Sequence, residues 1–195
     1  PTGFTISDSM WDKILNIIDD RAVEGKFISI LLDVAYIEFA GDGSQKKFFQ
    51  KFGSLKENII TCIAYSMSKS YTAYGLRSGA CIIVSSNEEI ADSLFDSMKH
   101  SNRAIWSNIT HAGMNILVDI EKDEKKKKSY ADELEFYRVM LEKRARAFVE
   151  NAKKVGLVSL PYFGGFFISI PCKNSKKVSE KLKEKDMYIV ANKEG

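Results

Sequence analysis

Two apolar runs, residues 59–65 and 80–84, are separated only by residues 66–79, and this spacing constrains the fold more than any other feature of the chain. Both runs are rich in β-branched and apolar residues, the pattern of buried strands. Parallel neighbours need a long, usually helical crossover. Residues 66–79 are too few for one, so the second run is expected antiparallel to its neighbour or at a sheet edge.

What lies between the runs is chemically unusual. Ser66, Ser68 and Lys69 follow the first run at once, and Arg77 stands between Gly75 and Gly79. A lysine leaving a buried strand is partly desolvated, which favours its free amine. A free amine forms a Schiff base with an aldehyde. Two hydroxyls and a planar guanidinium suit a phosphate. An aldehyde that carries a phosphate is pyridoxal 5'-phosphate. Upstream, residues 27–32 read as another buried strand, ending in Asp33-Val34-Ala35-Tyr36. An acid at the carboxyl end of a strand fits a cofactor crevice in an open α/β sheet. Asp33 can keep a pyridine nitrogen protonated, which makes the ring an electron sink. Tyr36 can hydrogen-bond the ring's phenolate oxygen.

Asp33-x-x-Tyr36, Ser66-x-Ser68-Lys69 and Gly75-Leu76-Arg77-x-Gly79, in this order, resemble the class I aminotransferases. Pro1-Thr2-Gly3 is similar to the end of that family's Asn-Pro-Thr-Gly motif. The resemblance covers nearly all of the chain but only about the C-terminal half of a complete member. It implies an α/β, PLP-dependent transferase-like fold (fold type I). A partial large domain with a mixed, mostly parallel sheet is expected over residues 1–125. An incomplete small α/β domain is expected over 126–195, joined through a long helix. It also implies a role for each residue: Lys69 as the Schiff-base lysine, and Asp33, Tyr36, Ser66, Ser68 and Arg77 as cofactor-binding. Arg103, in the segment Arg103-Ala104-Ile105-Trp106-Ser107-Asn108, falls on the arginine that binds a dicarboxylate side chain across a dimer interface. Ser107 falls near the partner's phosphate. Trp106 stands where the aspartate branch has tyrosine, and Ile109-Thr110 replace a proline pair. An exposed arginine favouring the helix dipole is the competing reading of Arg103.

The expected activity is transfer of an amino group from an aspartate-type or aromatic L-amino acid to a 2-oxo acid. A lyase or decarboxylase of the same fold and a catalytically silent fragment remain open alternatives. The family's phosphate loop, ring-stacking aromatic and phenolate-binding asparagine would precede Pro1. Its α-carboxylate arginine would follow Gly195. The chain alone is therefore expected to bind cofactor weakly and turn over little.

The totals narrow the remaining classes. Net charge is +3, and the one charged run, residues 121–128, is acidic then basic. It reads as a solvated connection or exposed helix turn rather than a nucleic-acid footprint. No apolar stretch reaches the roughly 18 residues of a membrane span. Cys62, Cys81 and Cys172 have no metal-ligand spacing and read as buried free thiols of a cytoplasmic protein. With only His100 and His111, no metal site is expected.

Helices are expected from Ser7 or Asp8 to Asp20, with Met10, Ile14, Ile17 and Ile18 inward, and from the capping box 86–89 to near His100. Others are expected over 110–120, from Ser129 to Val155, and over 176–185. Strands are expected at 157–160, 165–171 and 187–191.

Overall fold

The computed structural model describes residues 2–40 and 44–192. They form two compact units, Thr5–Val139 and Pro1–Phe4 with Met140–Gly195. The 125/126 division expected from the sequence lies near the start of the helix that enters both.

The first unit is built on a three-stranded sheet: β1 (Ile28–Asp33), β2 (Ile59–Ser66) and β3 (Gly79–Val84), in that spatial order. β1 and β2 are parallel, with Asp33 opposite Ala64. β2 and β3 are antiparallel, with Ser66 opposite Gly79, as the short connection requires. Gly79 is demanded by this closure, since a Cβ there would lie 2.4 Å from the Tyr65 carbonyl oxygen.

One face of the sheet carries the core. Leu32, Val34 and Ile63 pack with Leu15, Phe48 and Phe52. Leu15 comes from α1 (Asp8–Arg21), capped by the Ser7 hydroxyl, which accepts from Met10 N–H. The inward residues of α1 are Trp11, Leu15 and Ile18, while Met10 and Ile17 of the expected face are exposed. Trp11 decides the rotation, because its ring stacks on Phe48 at 5.1 Å and meets Phe52 edge-on at 5.6 Å. Phe48 and Phe52 lie in a 3₁₀ helix, Ser44–Phe52. On the other face Phe27 and Leu31 are exposed, so the expected fully buried first strand alternates instead.

α2 is the single turn Met67–Ser70, and α3 runs Glu88–Trp106. Asn87 caps α3 by accepting from Ile90 N–H. Nothing in the sequence breaks α3 at His100, so it continues until Ser107 turns to φ 64°. α4 spans His111–Lys122 and buries Gly113, whereas Met114 and Val118 are exposed. α5 begins at Glu124, five residues before the expected Ser129. Asp123 accepts from Lys125 and Lys126 N–H, so the charged run forms the ends of two helices.

α5 continues to Lys154 and forms the spine of the second unit. Ala145 and Ala152 are its buried residues, while Tyr137 and Phe148 are exposed. It ends as the sequence predicts, at Gly156 with φ 72°. Leu157 N–H donates to Ala152 O at 2.8 Å and Gly156 N–H to Lys153 O at 3.2 Å. That pair of bonds is a Schellman closure. α6 is Ser175–Lys183, capped by Asn174. The segments 157–160, 165–171 and 187–191 are not strands here. They run without regular ladders, meeting through single bonds such as Leu160 N–H to Ser169 O at 2.8 Å.

None of the three cysteines is fully buried, against expectation, and Cys81 is exposed because the outer face of β3 is uncovered. No helix among the described residues is long and apolar enough to cross a membrane.

The β2–β3 closure yields a stability prediction. Gly79→Ala forces a Cβ into a backbone oxygen and should cost about 1–3 kcal/mol. Urea unfolding reads this as a lower midpoint at unchanged slope.

Candidate active site

The parallel β1–β2 register places the carboxyl ends of both strands side by side. Asp33 ends β1, and two residues beyond its partner Ala64 the chain reaches Ser66. Ser66 then caps α2, its hydroxyl accepting from Ser68 N–H at 3.2 Å. Lys69 leaves this turn half-buried, with its neighbours Ser68 and Ser70 buried.

Two tyrosine rings surround the lysine amine. Nζ lies 4.1 Å from the centroid of Tyr74 and 5.6 Å from that of Tyr36. The second contact joins Asp33-x-x-Tyr36 to Ser66-x-Ser68-Lys69. Asp33 is exposed, and its Oδ1 accepts from Ala35 N–H at 3.1 Å. That bond fixes the carboxylate within its own turn.

Arg77 closes the group. It adopts the left-handed conformation, φ 53° and ψ 41°, just after the 3₁₀ turn Tyr74–Leu76. A non-glycine residue there carries strain of about 1–2 kcal/mol. Its side chain offsets this: Nη1 donates to Tyr74 O at 2.8 Å and lies 3.5 Å from Ser68 Oγ. Cζ sits 5.4 Å from the Tyr74 ring centroid. Tyr74 thus serves both cations. It was not singled out in the sequence, where its position midway between Lys69 and Arg77 was the available signal.

Gly113 was missed too. A Cβ on it would lie 2.1 Å from Ser78 Oγ and 2.5 Å from Ser78 Cβ. α4 therefore packs directly on the turn that presents Arg77, and only glycine permits the approach.

Arg103 makes a separate contact. At the C-terminal end of α3 its Nη1 donates to Ser107 Oγ at 2.8 Å and to Ser107 O at 3.2 Å. His111 pairs with the Asn108 side chain at 3.4 Å.

Behind the lysine turn lie Tyr65, Tyr71 and Tyr130. The Tyr71 and Tyr130 rings stack at 4.7 Å, 5° from parallel. Burial pushes the Tyr71 hydroxyl up to about 12, with Tyr65, Glu121 and Glu38 adding to it. Burial also raises Tyr65.

The donor set can be tested against a phosphorylated aldehyde on chemistry alone. It offers one primary amine, one guanidinium, two hydroxyls and, at the adjoining strand end, one carboxylate. These are the groups that an aldehyde, a phosphate and a protonated ring nitrogen require, and the residues fit.

A family model of the class I and II aminotransferases matches residues 1–194. The chain belongs to this family. Its curated relatives include the aspartate aminotransferase of Salmonella typhi, 28% identical over 157 residues, which are 80% of this chain and 38% of the relative. An aromatic-amino-acid aminotransferase of Escherichia coli K12 is 24% identical over 72% of this chain and 34% of the relative. Among solved structures, an aminotransferase from Anaerococcus prevotii is 44% identical with a TM-score of 0.95, covering all of this chain and 48% of that one. An aromatic-amino-acid aminotransferase from Burkholderia pseudomallei, covalently bound to pyridoxal phosphate, shares the fold at 23% identity and a TM-score of 0.76, covering 98% and 47%. This aminotransferase chain thus spans less than half the length of these relatives, and its fold is the corresponding part of theirs.

The tyrosines of this aminotransferase chain give a pH prediction. Tyr71 keeps its proton in the folded state to about 12, whereas an unfolded tyrosine loses it near 10. The folded state therefore binds more protons between these values, and stability falls as pH rises through them. Urea midpoints should hold below pH 9 and decline from about pH 10 to 12. Tyr71→Phe should flatten part of that decline.

Proposed function

We propose that the protein carrying this chain is an aminotransferase that uses pyridoxal 5'-phosphate. It moves an amino group from an aspartate-type or aromatic L-amino acid to a 2-oxo acid. The observation that carries this is the convergence of the Lys69 amine with Tyr36 and, through Tyr74, with Arg77. The aspartate and aromatic aminotransferases among its relatives support the substrate class.

When bound, the cofactor supplies a protonated ring that takes up electrons from the substrate's Cα. This chain would supply the following parts of the chemistry. Lys69 would hold the cofactor's aldehyde end through its amine, and as a free amine it would be the base for the proton on the substrate's Cα. Asp33 would keep the ring nitrogen protonated, its ionised carboxylate accepting a hydrogen bond from that N–H. Tyr36 donates to the ring oxygen. Arg77, Ser66 and Ser68 anchor the phosphate, with the guanidinium giving direction as well as charge. Arg103, from a second copy of the chain, selects substrates with a carboxylate side chain, which makes the protein a homodimer. For that role its guanidinium must exchange Ser107 for the substrate. Unpaired thiols fit a cytoplasmic setting.

The test uses the full-length protein. It is mixed with pyridoxal phosphate, reduced with borohydride and digested, and the modified lysine is mapped by mass spectrometry. Label confined to Lys69, and lost in Lys69→Ala, is expected. Label scattered over surface lysines overturns the assignment. Arg77→Lys keeps the charge and loses the fork, so cofactor affinity should fall about 10- to 100-fold, the worth of one charge-assisted bond. Fluorescence titration with pyridoxal phosphate measures it.

A further inference from the structure

The short helix that carries Lys69 has an exposed problem of its own. A helix of one turn cannot satisfy its last carbonyls internally. Ser70, directly after Lys69, is 4% exposed, so water cannot serve its carbonyl. The partner comes from far along the chain. Tyr130 OH, on the second turn of α5, donates to Ser70 O at 3.2 Å. Its ring is set by the stack on Tyr71, the residue next to Ser70. The Ser70 hydroxyl itself is buried with no hydrogen-bond partner among the described residues. Tyr130 therefore holds Ser70 through its main-chain carbonyl.

We propose that Tyr130 is a positioning residue for Lys69, fixing the carbonyl end of the Lys69 turn so that the amine is presented at a constant angle. The proposal rests on the function proposed above and adds to it a residue that touches no reacting atom. Tyr130 suits the task in two ways. Its ring loses little conformational freedom, being stacked. Its hydroxyl stays protonated, because burial, followed by Tyr71, Glu38 and Tyr65, pushes its pKa far up. It remains a donor wherever the protein is folded.

Tyr130→Phe in the full-length protein keeps the stack and removes only the donor. With pyridoxal phosphate bound, the visible band's induced circular dichroism reports ring orientation, which a loss of stability alone would not move. We expect that dichroism to weaken and kcat to fall about tenfold, the value of one hydrogen bond. KM for the amino donor should stay within about twofold. Replacing Tyr130 with p-aminophenylalanine returns a donor at the same place and should restore both. Wild-type dichroism and kcat in Tyr130→Phe overturn the proposal. So does a loss that p-aminophenylalanine fails to restore, and this second comparison decides the matter if the phenylalanine variant does not fold. Lys69→Ala separates the two levels. If the wild-type visible band persists in Lys69→Ala, the assignment of Lys69 falls and Tyr130's role falls with it. If the band depends on Lys69 but not on Tyr130, only the role of Tyr130 falls.

Discussion

The parallel pairing of β1 with β2 is the constraint on which the rest depends. Strand polarity puts Asp33 and the Ser66–Lys69 turn at one end of the sheet. Antiparallel pairing would send them to opposite ends. A slip of one residue would turn Asp33 to the other face. The ladder aligns the two segments, and the Lys69 amine then meets the Tyr36 ring at 5.6 Å. The antiparallel partner β3 then returns the chain at Gly79, which brings Arg77 back over Ser68. A cation, an amine and an acid are thus gathered by two backbone registers.

Close packing then refines what the registers place. Gly79 lets β3 approach β2, and Gly113 lets α4 approach Ser78. Two positions that contribute no side chain hold the residue that contributes the strongest one. The tyrosines behind the sheet complete the support. They are buried hydroxyl-bearing rings, stacked where the lysine turn needs both apolar contact and a donor.

Much of this was legible in the sequence, for reasons that differ by residue. Asp33, Tyr36, Ser66, Lys69 and Arg77 were readable because each stands beside a strand end or between glycines, where local chemistry is specific. The antiparallel return of β3 followed from chain length alone. Ser7, Asn174 and Gly156 ended their helices by local rules. What was not legible depends on neighbours. Met10 and Ile17 have the period of an inward face, yet Trp11 takes the core because Phe48 offers it a partner. Residues 157–160, 165–171 and 187–191 have strand composition, but a strand exists only where a ladder pairs it. Gly113 and Tyr130 gave no signal, since their partners lie far away in sequence.

The ring of Tyr74 has a consequence for motion. A lysine side chain has many rotamers, and its terminal nitrogen would normally wander among them. Here a face of π electrons lies 4.1 Å from Nζ and narrows the rotamers open to the side chain. The same ring also faces Arg77, so movement of one cation changes the field felt by the other.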